Sequence, residues 1–297
     1  MKVAVTGSSG LIGTALVAAL RADGHEVIRL VRAAPAPPDA VAWDPRADRG
    51  GLGPRSLDGV AAVVHLAAAG VADKRWTPRY QAEIRDSRAR GTQALAGALA
   101  AMATPPAVLL SGSAIGWYGD TGGREVTESD PAGSGFLSEV VRDWEAATGS
   151  AARAGIRVVT LRSGIVLSPK GGVLARLLPL FRLGLGGRIG TGRQVMSWIG
   201  LSEWVAAARF LLGRDDVHGP VNLTTPCPVS NAEFTSALAA AVHRPALMLV
   251  PVPALKVAIG GVSSDILSSA RVLPRRLLDE GYQFRHPAIA EALAAEL

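Results

Sequence analysis

Cysteine is almost absent from this sequence, and its absence excludes two kinds of protein. Cys227 is the single cysteine in 297 residues, so no disulfide can close within the chain and no metal site can be built from cysteine ligands. A lone cysteine in an apolar sequence is typical of a buried core thiol, and this is the expectation for Cys227.

Long hydrophobic runs are missing as well. Hydrophobic residues make up 48% of the chain, yet each apolar run is interrupted before the roughly 18–20 residues that a membrane-crossing helix needs. After Met1 and Lys2 the chain enters a strand-like run, without the apolar segment and cleavage site of a secretory signal. We therefore expect no membrane partner and a cytoplasmic location.

Lysine is scarce although the chain is basic. The net charge is +6, but only four of the 31 basic residues are lysines and the arginines are scattered along the sequence. Such a spread does not predict a nucleic-acid patch. It suits an anionic small molecule better, and we expect a small-molecule substrate rather than a nucleic acid.

The first half of the chain alternates apolar β-type runs with helical patterns. Strands that are apolar throughout, separated by helices, indicate a parallel sheet covered on both faces, which is a doubly wound α/β fold. The segment 33–59 is rich in Pro, Asp and Gly and predicts a surface excursion with one short strand at 41–43. The other predicted strands lie at 3–5, 26–31, 60–66, 107–110 and 156–161, and the helices at 11–22, 78–101 and 137–154.

A glycine-rich turn joins the first strand to the first helix. In this context Gly7 permits a tight turn, Gly10 lets the backbone approach a pyrophosphate, and Gly13 lets the helix pack closely on the strand. The helix N-terminus then faces the phosphates. The sequence therefore predicts a Rossmann dinucleotide-binding fold whose cofactor contacts come from Gly7, Ser8, Ser9, Gly10, Leu11, Ile12 and Gly13.

The residue after the second strand decides between NAD and NADP. An acidic residue there would accept hydrogen bonds from the ribose 2′-hydroxyl, but the chain has Val31-Arg32. Arg32 offers a planar donor fork to a 2′-phosphate, and the hydroxyls of Ser8 and Ser9 add donors. NADP(H) is the expected cofactor, with an exposed surface arginine as the alternative interpretation of Arg32.

The pattern changes after about residue 168. A leucine-rich helix leads into the glycine-dense stretch 184–192, for which we expect a loop or hairpin. We predict a nucleotide-binding domain over residues 1–168, to which 200–225 return. A substrate cap and a small C-terminal domain are expected over 169–199 and 226–297.

Several motifs in this order and spacing resemble the extended short-chain dehydrogenase/reductases, in the NAD-dependent epimerase/dehydratase-like family. They are residues 6–13, His65-Leu66-Ala67-Ala68, Ser111-Gly112-Ser113, Trp117-Tyr118-Gly119 and residues 162–167. The segments 72–77, 86–88, 142–145, 192–199 and 271–274 resemble one subfamily, whose members carry a small C-terminal domain of unassigned role.

That resemblance covers nearly the whole chain and implies further site residues. It implies NADP(H) lying across the carboxyl ends of the strands, with additional cofactor contacts from Leu66, Ala67, Ala68 and Arg162. It implies a substrate pocket beneath the cap, and a homodimer through the helices around 80–100 and 137–154. The epimerase name describes fold similarity, so the reaction has to be argued from the site.

The catalytic residues of the superfamily are only partly present. Ser113 matches the strand-end serine, whose hydroxyl can bond a substrate carbonyl or hydroxyl, although a serine that only caps the strand end is the alternative. The family's Tyr-x-x-x-Lys pair is absent, because Tyr80, Tyr118 and Tyr282 are followed four residues later by Ile, Gly and His. Aligning Glu145 with the acidic residue that ends this motif places Leu137 and Val141 where Tyr and Lys would stand.

Other residues could supply the proton transfer. Tyr118 is taken with Ser113 as a catalytic candidate, with pocket shaping as the alternative, and Lys74 is either a phosphate-side or a surface cation. Trp76 and Trp198 could line a pocket, although core positions are commoner for tryptophan. Glu139, Arg142 and Asp143 on the predicted helix are further candidates, with a solvated helix face as the expectation for Glu139 and Asp143. His65 is expected to be packed and to bind no metal.

Two functions from different classes therefore remain open. One is an NADP(H)-dependent oxidoreductase or epimerase-like enzyme that acts on a small carbonyl or hydroxyl substrate. The other is a non-catalytic NADP(H)-binding redox sensor or interaction protein, which the missing Tyr and Lys favour.

Overall fold

A computed structural model describes residues 1–32 and 36–297 of the chain. The strands are β1 (Lys2–Thr6), β2 (Glu26–Val31), β3 (Ala40–Ala42), β4 (Ala62–His65), β5 (Val108–Ala114), β6 (Glu125–Val126), β7 (Arg157–Ser163), β8 (Ile165–Leu167), β9 (Gly187–Ile189), β10 (Val195–Met196), β11 (Trp198–Gly200), β12 (Gly219–Leu223), β13 (Val229–Ser230), β14 (Met248–Val250) and β15 (Arg271–Val272). The α-helices are α1 (Leu11–Ala22), α2 (Pro78–Ala100), α3 (Phe136–Ala146), α4 (Gly149–Arg153), α5 (Gly172–Arg182), α6 (Leu201–Leu212), α7 (Asn231–Ala241), α8 (Val252–Ile259), α9 (Ser263–Leu267), α10 (Arg275–Asp279) and α11 (Ile289–Glu296).

The centre of the molecule is a parallel sheet. Seven of the described strands pair in the order β12-β7-β5-β4-β1-β2-β3. Neighbouring residues of the inner strands point to opposite faces and are buried on both, as Val3 and Ala4 show at 0% exposure. The predicted doubly wound α/β fold is confirmed.

Helices cover both faces of this sheet. One apolar cluster joins Val3 and Val5 of β1 to Leu16 of α1 and Trp204 of α6. The cluster on the other face joins Ala4 to Leu95 of α2 and Ala151 of α4. Two layers of helix therefore bury the strands from both sides, which is why these strands are apolar throughout.

The chain reverses its direction of travel across the sheet between β1 and β4. From β1 it moves outward through β2 and β3, and it then returns to add β4, β5, β7 and β12 on the other side. Connections at such a switch point leave in opposite directions and open a crevice at the carboxyl ends of the strands, where ligands of this architecture bind.

A third apolar core lies outside the sheet. It is built by Leu174 and Phe181 of α5, Trp198 of β11, Phe234 of α7 and Leu293 of α11. The glycine-dense stretch 184–192, expected to be a loop or hairpin, instead contains β9, which pairs in parallel with the distant β14. The hairpin alternative is wrong, because the partner strand comes from about sixty residues further along the chain.

Two other expectations need correction. The helix predicted over 137–154 is broken between α3 and α4, where the Thr148 hydroxyl donates to the Glu145 carbonyl at 2.7 Å and competes with the helical ladder. The segment 33–59 is more than a surface excursion, since Trp43, Leu52 and Leu57 are buried in the cluster that contains Ala4. Its residues 33–35 lie outside the described residues.

Candidate nucleotide and active site

The glycine turn after β1 has the backbone geometry that a close approach requires. Gly7 has a φ of +64°, and a Cβ there would lie 2.7 Å from the Leu66 carbonyl carbon. A Cβ at Gly13 would overlap the Gly7 carbonyl oxygen. Gly10 caps α1 without a side-chain hydrogen bond, and the first turn carries no acidic residue. The N-terminal N–H groups of α1 therefore face the crevice as an anion-binding end.

A buried histidine fixes the two strands that flank the crevice. Thr6 Oγ1 accepts hydrogen bonds from the N–H groups of Leu66 at 3.0 Å and Ala67 at 3.1 Å, so its own hydrogen points to His65 Nδ1 at 2.7 Å. His65 Nε2 then carries the ring proton and donates to Thr92 Oγ1 at 3.0 Å. Burial lowers the pKa of His65 to about 4 and keeps the ring neutral. His65 is packed, as expected.

The remaining predicted cofactor residues surround this crevice. Arg32 follows β2 at its carboxyl end and is exposed, Ser8 is buried, and Ser9 is exposed. Leu66, Ala67 and Ala68 continue from β4 beside Gly7, and Leu11 and Ile12 open α1. The structure brings all of these to one edge of the sheet.

Arg162, also predicted to contact the cofactor, belongs to a second group of polar residues between α3 and the ends of β5 and β7. Ser113 Oγ donates to Glu145 Oε1 at 2.6 Å. Arg162 donates two hydrogen bonds to the same carboxylate, from Nε at 2.8 Å and from Nη2 at 2.9 Å. The side chains of Arg162 and Glu145 are only 3% and 13% exposed. The carboxylate of Glu145 therefore joins the strand-end serine to a buried cation.

Tyr118 extends this network. Its hydroxyl accepts from Arg162 Nη1 at 3.0 Å and donates to Asn222 Oδ1 at 2.8 Å. The Arg162 guanidinium also lies 4.0 Å from the centre of the Trp117 ring. Burial raises the pKa of Tyr118 to about 12, so this phenol stays protonated at neutral pH. The catalytic role of Tyr118 stays a prediction.

Leu137 and Val141, which the sequence analysis aligns with the family's Tyr and Lys, make packing contacts. Val141 is buried, and a Cβ at Gly116 would lie 3.3 Å from Leu137 Cβ. This face of α3 therefore packs against the 3-10 turn Ile115–Tyr118.

The other candidates lie apart from Ser113 or in the core. Lys74 is exposed and sits 3.7 Å from Glu83. Glu139 and Asp143 form the expected solvated face of α3, where both approach Arg85. Trp198 is fully buried in the third core, and Trp76 packs edge-on against Phe136.

Sequence reasoning missed the partners of Ser113 and Thr6. Glu145 was identified only as the end of a motif, although an acidic residue beside buried Trp144 and one turn after buried Val141, near the C-terminal end of α3, is a signal for a paired buried charge. Cys227 was expected to be buried and is exposed, because it follows β12 in the connection to β13.

This protein is an NAD(P)-binding Rossmann protein of the extended short-chain dehydrogenase/reductase type, as the crevice, the glycine turn and the strand-end serine indicate. Residues 3–223 match the NAD dependent epimerase/dehydratase family, and residues 250–296 match a domain of unknown function, DUF1731. The chain belongs to the NAD dependent epimerase/dehydratase family, in the subfamily with the small C-terminal domain that the sequence motifs predict.

Individual proteins agree with this assignment. An epimerase family protein of Mycobacterium bovis is 47% identical over 98% of this chain and 96% of its own length. A crystal structure of human epimerase family protein SDR39U1 with NADPH superposes with a TM-score of 0.90 at 33% identity, covering 100% of this chain and 99% of the human one. A nucleoside-diphosphate sugar epimerase of Corynebacterium glutamicum gives a TM-score of 0.83 at 36% identity over 100% of this chain and 58% of that one.

Neither a membrane span nor a metal cluster is found in residues 1–32 and 36–297. None of the helices there is long and apolar enough to cross a bilayer, and no group of three or more His, Cys, Asp or Glu is placed to hold a metal ion. The cytoplasmic location and the homodimer stay predictions.

Proposed function

We propose that this protein binds NADP(H) in the crevice between β1 and β4 and transfers hydride to or from a small substrate at Ser113. The proposal depends on the N-terminus of α1, which has no side-chain cap, and on the glycine turn before it, where a Cβ at Gly7 or Gly13 would clash with the backbone. Human SDR39U1, crystallised with NADPH, supports the choice of nucleotide.

The residues present fit such a nucleotide. The N–H groups at residues 11–13 would hold the pyrophosphate, since that of Gly10 already donates to the Gly7 carbonyl at 3.0 Å, and residues 66–68 would lie along the adenosine side. Exposed Arg32 and Ser9 would hold the 2′-phosphate, since no acidic residue follows β2 to compete for the ribose. We assign Arg162 to Glu145 rather than to the nucleotide, because its guanidinium is already bonded within the protein.

Ser113 would orient the substrate through its oxygen. Its single hydroxyl hydrogen is donated to Glu145 at 2.6 Å, so the lone pairs of Oγ are left to accept a hydrogen bond. A substrate hydroxyl fits this better than a carbonyl does. When bound, the nicotinamide supplies the hydride acceptor or donor. Ser113 and Glu145 would take up or return the hydroxyl proton in place of a Tyr and Lys pair.

The domain division supports a substrate pocket above this edge. We propose that residues 1–168 and 200–225 form the nucleotide-binding domain, and that 169–199 and 226–297 form the cap. The separate third core supports this division. Gly171, just before α5, approaches the side chain of Leu11 at the start of α1, so the cap begins next to the phosphate turn.

A non-catalytic NADP(H)-binding protein is the second candidate. It is favoured by Leu137 and Val141 at the Tyr and Lys positions, and by the raised pKa of Tyr118, about 12. The two candidates differ in one observable, since an enzyme must turn its nicotinamide over while a sensor only binds it.

Nucleotide titration tests the proposal first. NADPH and NADH binding is followed by fluorescence in the parent, in Arg32→Ala, and in Arg153→Ala, which removes an exposed arginine at the opposite edge of the sheet. We expect NADPH to bind more tightly than NADH. The ratio of the two affinities should fall by about tenfold or more in Arg32→Ala and should not change in Arg153→Ala. A preference unchanged in Arg32→Ala would refute the role of Arg32, and no binding of either nucleotide would refute the proposal.

Turnover is tested next with a panel of alcohols and carbonyl compounds, read by NADPH absorbance. Activity that falls in Ser113→Ala supports the enzyme. Tight binding with no turnover across the panel favours the non-catalytic protein.

A further inference from the structure

Large apolar side chains stand exposed together on the cap. Leu183 at the end of α5 is 72% exposed, and Leu247 just before β14 is 86% exposed. The surface that we call the leucine surface consists of Leu180, Leu183, Leu185, Leu247, Met248 and Leu249, which are all 47% exposed or more. A cluster of exposed apolar residues on this scale marks an interaction site more often than solvent-facing surface.

Backbone contacts join these residues into one surface. The Leu185 N–H donates to the Leu180 carbonyl at 2.9 Å, which folds the end of α5 back on itself. The Met248 N–H donates to the Gly186 carbonyl at 3.2 Å, and β14 pairs with β9 from Met248 onward. Successive residues of a strand point to opposite faces, so the exposure of both Met248 and Leu249 leaves each face of this short ribbon open.

The two chain segments that build the leucine surface carry only positive charges, of which one, Arg176, pairs with Asp73 at 3.8 Å. Residues 170–202 contain five basic residues and no Asp or Glu, and residues 234–264 contain Arg244 and Lys256 and again no Asp or Glu. Seven positive charges in these two segments exceed the net charge of +6, so the rest of the chain is slightly acidic. Arg182, Arg188 and Arg244 are exposed beside the leucines, and Arg244 Nε donates to the Arg182 carbonyl at 3.3 Å.

This combination selects between possible occupants. A second copy packed symmetrically on the same surface would bring the arginines together, and like charges oppose such a contact. A nucleic acid would match the charge but would leave six aliphatic side chains without an apolar partner. An anionic lipid surface matches both properties, since arginines meet the headgroups while leucines enter the acyl boundary.

We propose that the leucine surface docks the cap on an anionic membrane surface, as a peripheral contact. No helix of the described residues crosses a bilayer, so the contact would be reversible and would depend on salt. The expectation of no membrane partner came from the absence of a spanning helix, and a peripheral contact needs none. The proposal is independent of the reaction at Ser113.

Vesicle sedimentation of the full chain tests the proposal. The probes are vesicles of phosphatidylcholine with phosphatidylglycerol, and vesicles of phosphatidylcholine alone. The variant Leu183→Glu/Leu247→Glu changes two of the most exposed residues of the surface. Leu278→Glu is the matched control, because Leu278 is 44% exposed on α10 and lies outside the leucine surface. Circular dichroism establishes that each variant folds.

The parent and Leu278→Glu are expected to sediment with the anionic vesicles and to be released by added salt, while the double variant binds about tenfold or more weakly. Equal binding to neutral vesicles, or equal binding by the double variant, would overturn the proposal. So would two other results: binding to DNA or RNA without binding to vesicles, or self-association that the double variant abolishes with no vesicle binding.

Discussion

Removing the carboxylate of Glu145 is expected to destabilise the protein strongly, because Arg162 would remain buried without its charge partner. The Arg162 side chain is 3% exposed and loses two hydrogen bonds to Glu145, and Ser113 loses its acceptor. Breaking a buried ion pair from one side costs about 3–5 kcal/mol. The Glu145 side chain keeps 13% exposure, so water still reaches it. We therefore expect Glu145→Ala to cost about 3 kcal/mol, near the lower end of that range.

Urea unfolding followed by circular dichroism measures this loss. The control is Asp279→Ala, which removes an exposed pair with Arg275 at side-chain exposures of 53% and 67% and should cost about 0–1 kcal/mol. The double variant Glu145→Ala/Arg162→Met should recover part of the stability, because no buried charge is left. Equal losses in Glu145→Ala and Asp279→Ala, or a double variant no more stable than Glu145→Ala, would refute the reasoning.

The other predictions concern His65, Thr6 and Cys227. Burial holds the pKa of His65 at about 4, below its ordinary 6.5. As pH falls, the unfolded chain therefore binds the proton first. The stability that neutral His65 contributes is fully present above pH 6.5, and roughly 3 kcal/mol of it is lost between pH 6.5 and pH 4. Urea unfolding across this range should show a steeper acid loss in the parent than in His65→Gln, and equal slopes would contradict it. Thr6→Val leaves the N–H groups of Leu66 and Ala67 without an acceptor. Thermal unfolding should therefore show a loss of about 2 kcal/mol in the free energy of unfolding, and a titration should show weaker NADPH binding. An unchanged stability and an unchanged affinity would remove Thr6 from the site. Cys227 is exposed and should react with a thiol reagent in the native protein, whereas reaction only after unfolding would place it in the core.

The nucleotide crevice could be predicted because its signals are local. A strand, a glycine turn and an apolar helix follow one another within residues 2–22, and each glycine has a backbone reason that can be deduced from the sequence alone. The position of Arg32 at the end of β2 follows from the same count, and its contact with a 2′-phosphate stays a prediction. The alternation of apolar strands and helices then fixes the fold class.

The polar network around Ser113 could not be predicted in the same way, because its members are far apart in sequence. Glu145 follows Ser113 by 32 residues, and Tyr118 reaches Asn222 over 104 residues. Their contacts depend on how α3 and β12 dock on the sheet, which is a matter of packing rather than of motif. The pairing beside the third core could not be predicted for the same reason, because α6 and α7 separate β9 from its partner β14 in the sequence.

Two strand-end hydroxyls meet the crevice, and their hydrogen bonds separate a structural role from a chemical one. Thr6 Oγ1 gives its hydrogen to His65 and accepts two backbone N–H groups, so its oxygen is fully used within the protein. Ser113 Oγ also gives its hydrogen inward, to Glu145, but among the described residues no donor reaches its oxygen. Ser113 Oγ therefore keeps accepting capacity at the carboxyl edge of the parallel sheet, where ligands of this architecture bind. We therefore propose Ser113, rather than Thr6, as the hydroxyl that accepts a hydrogen bond from a substrate donor.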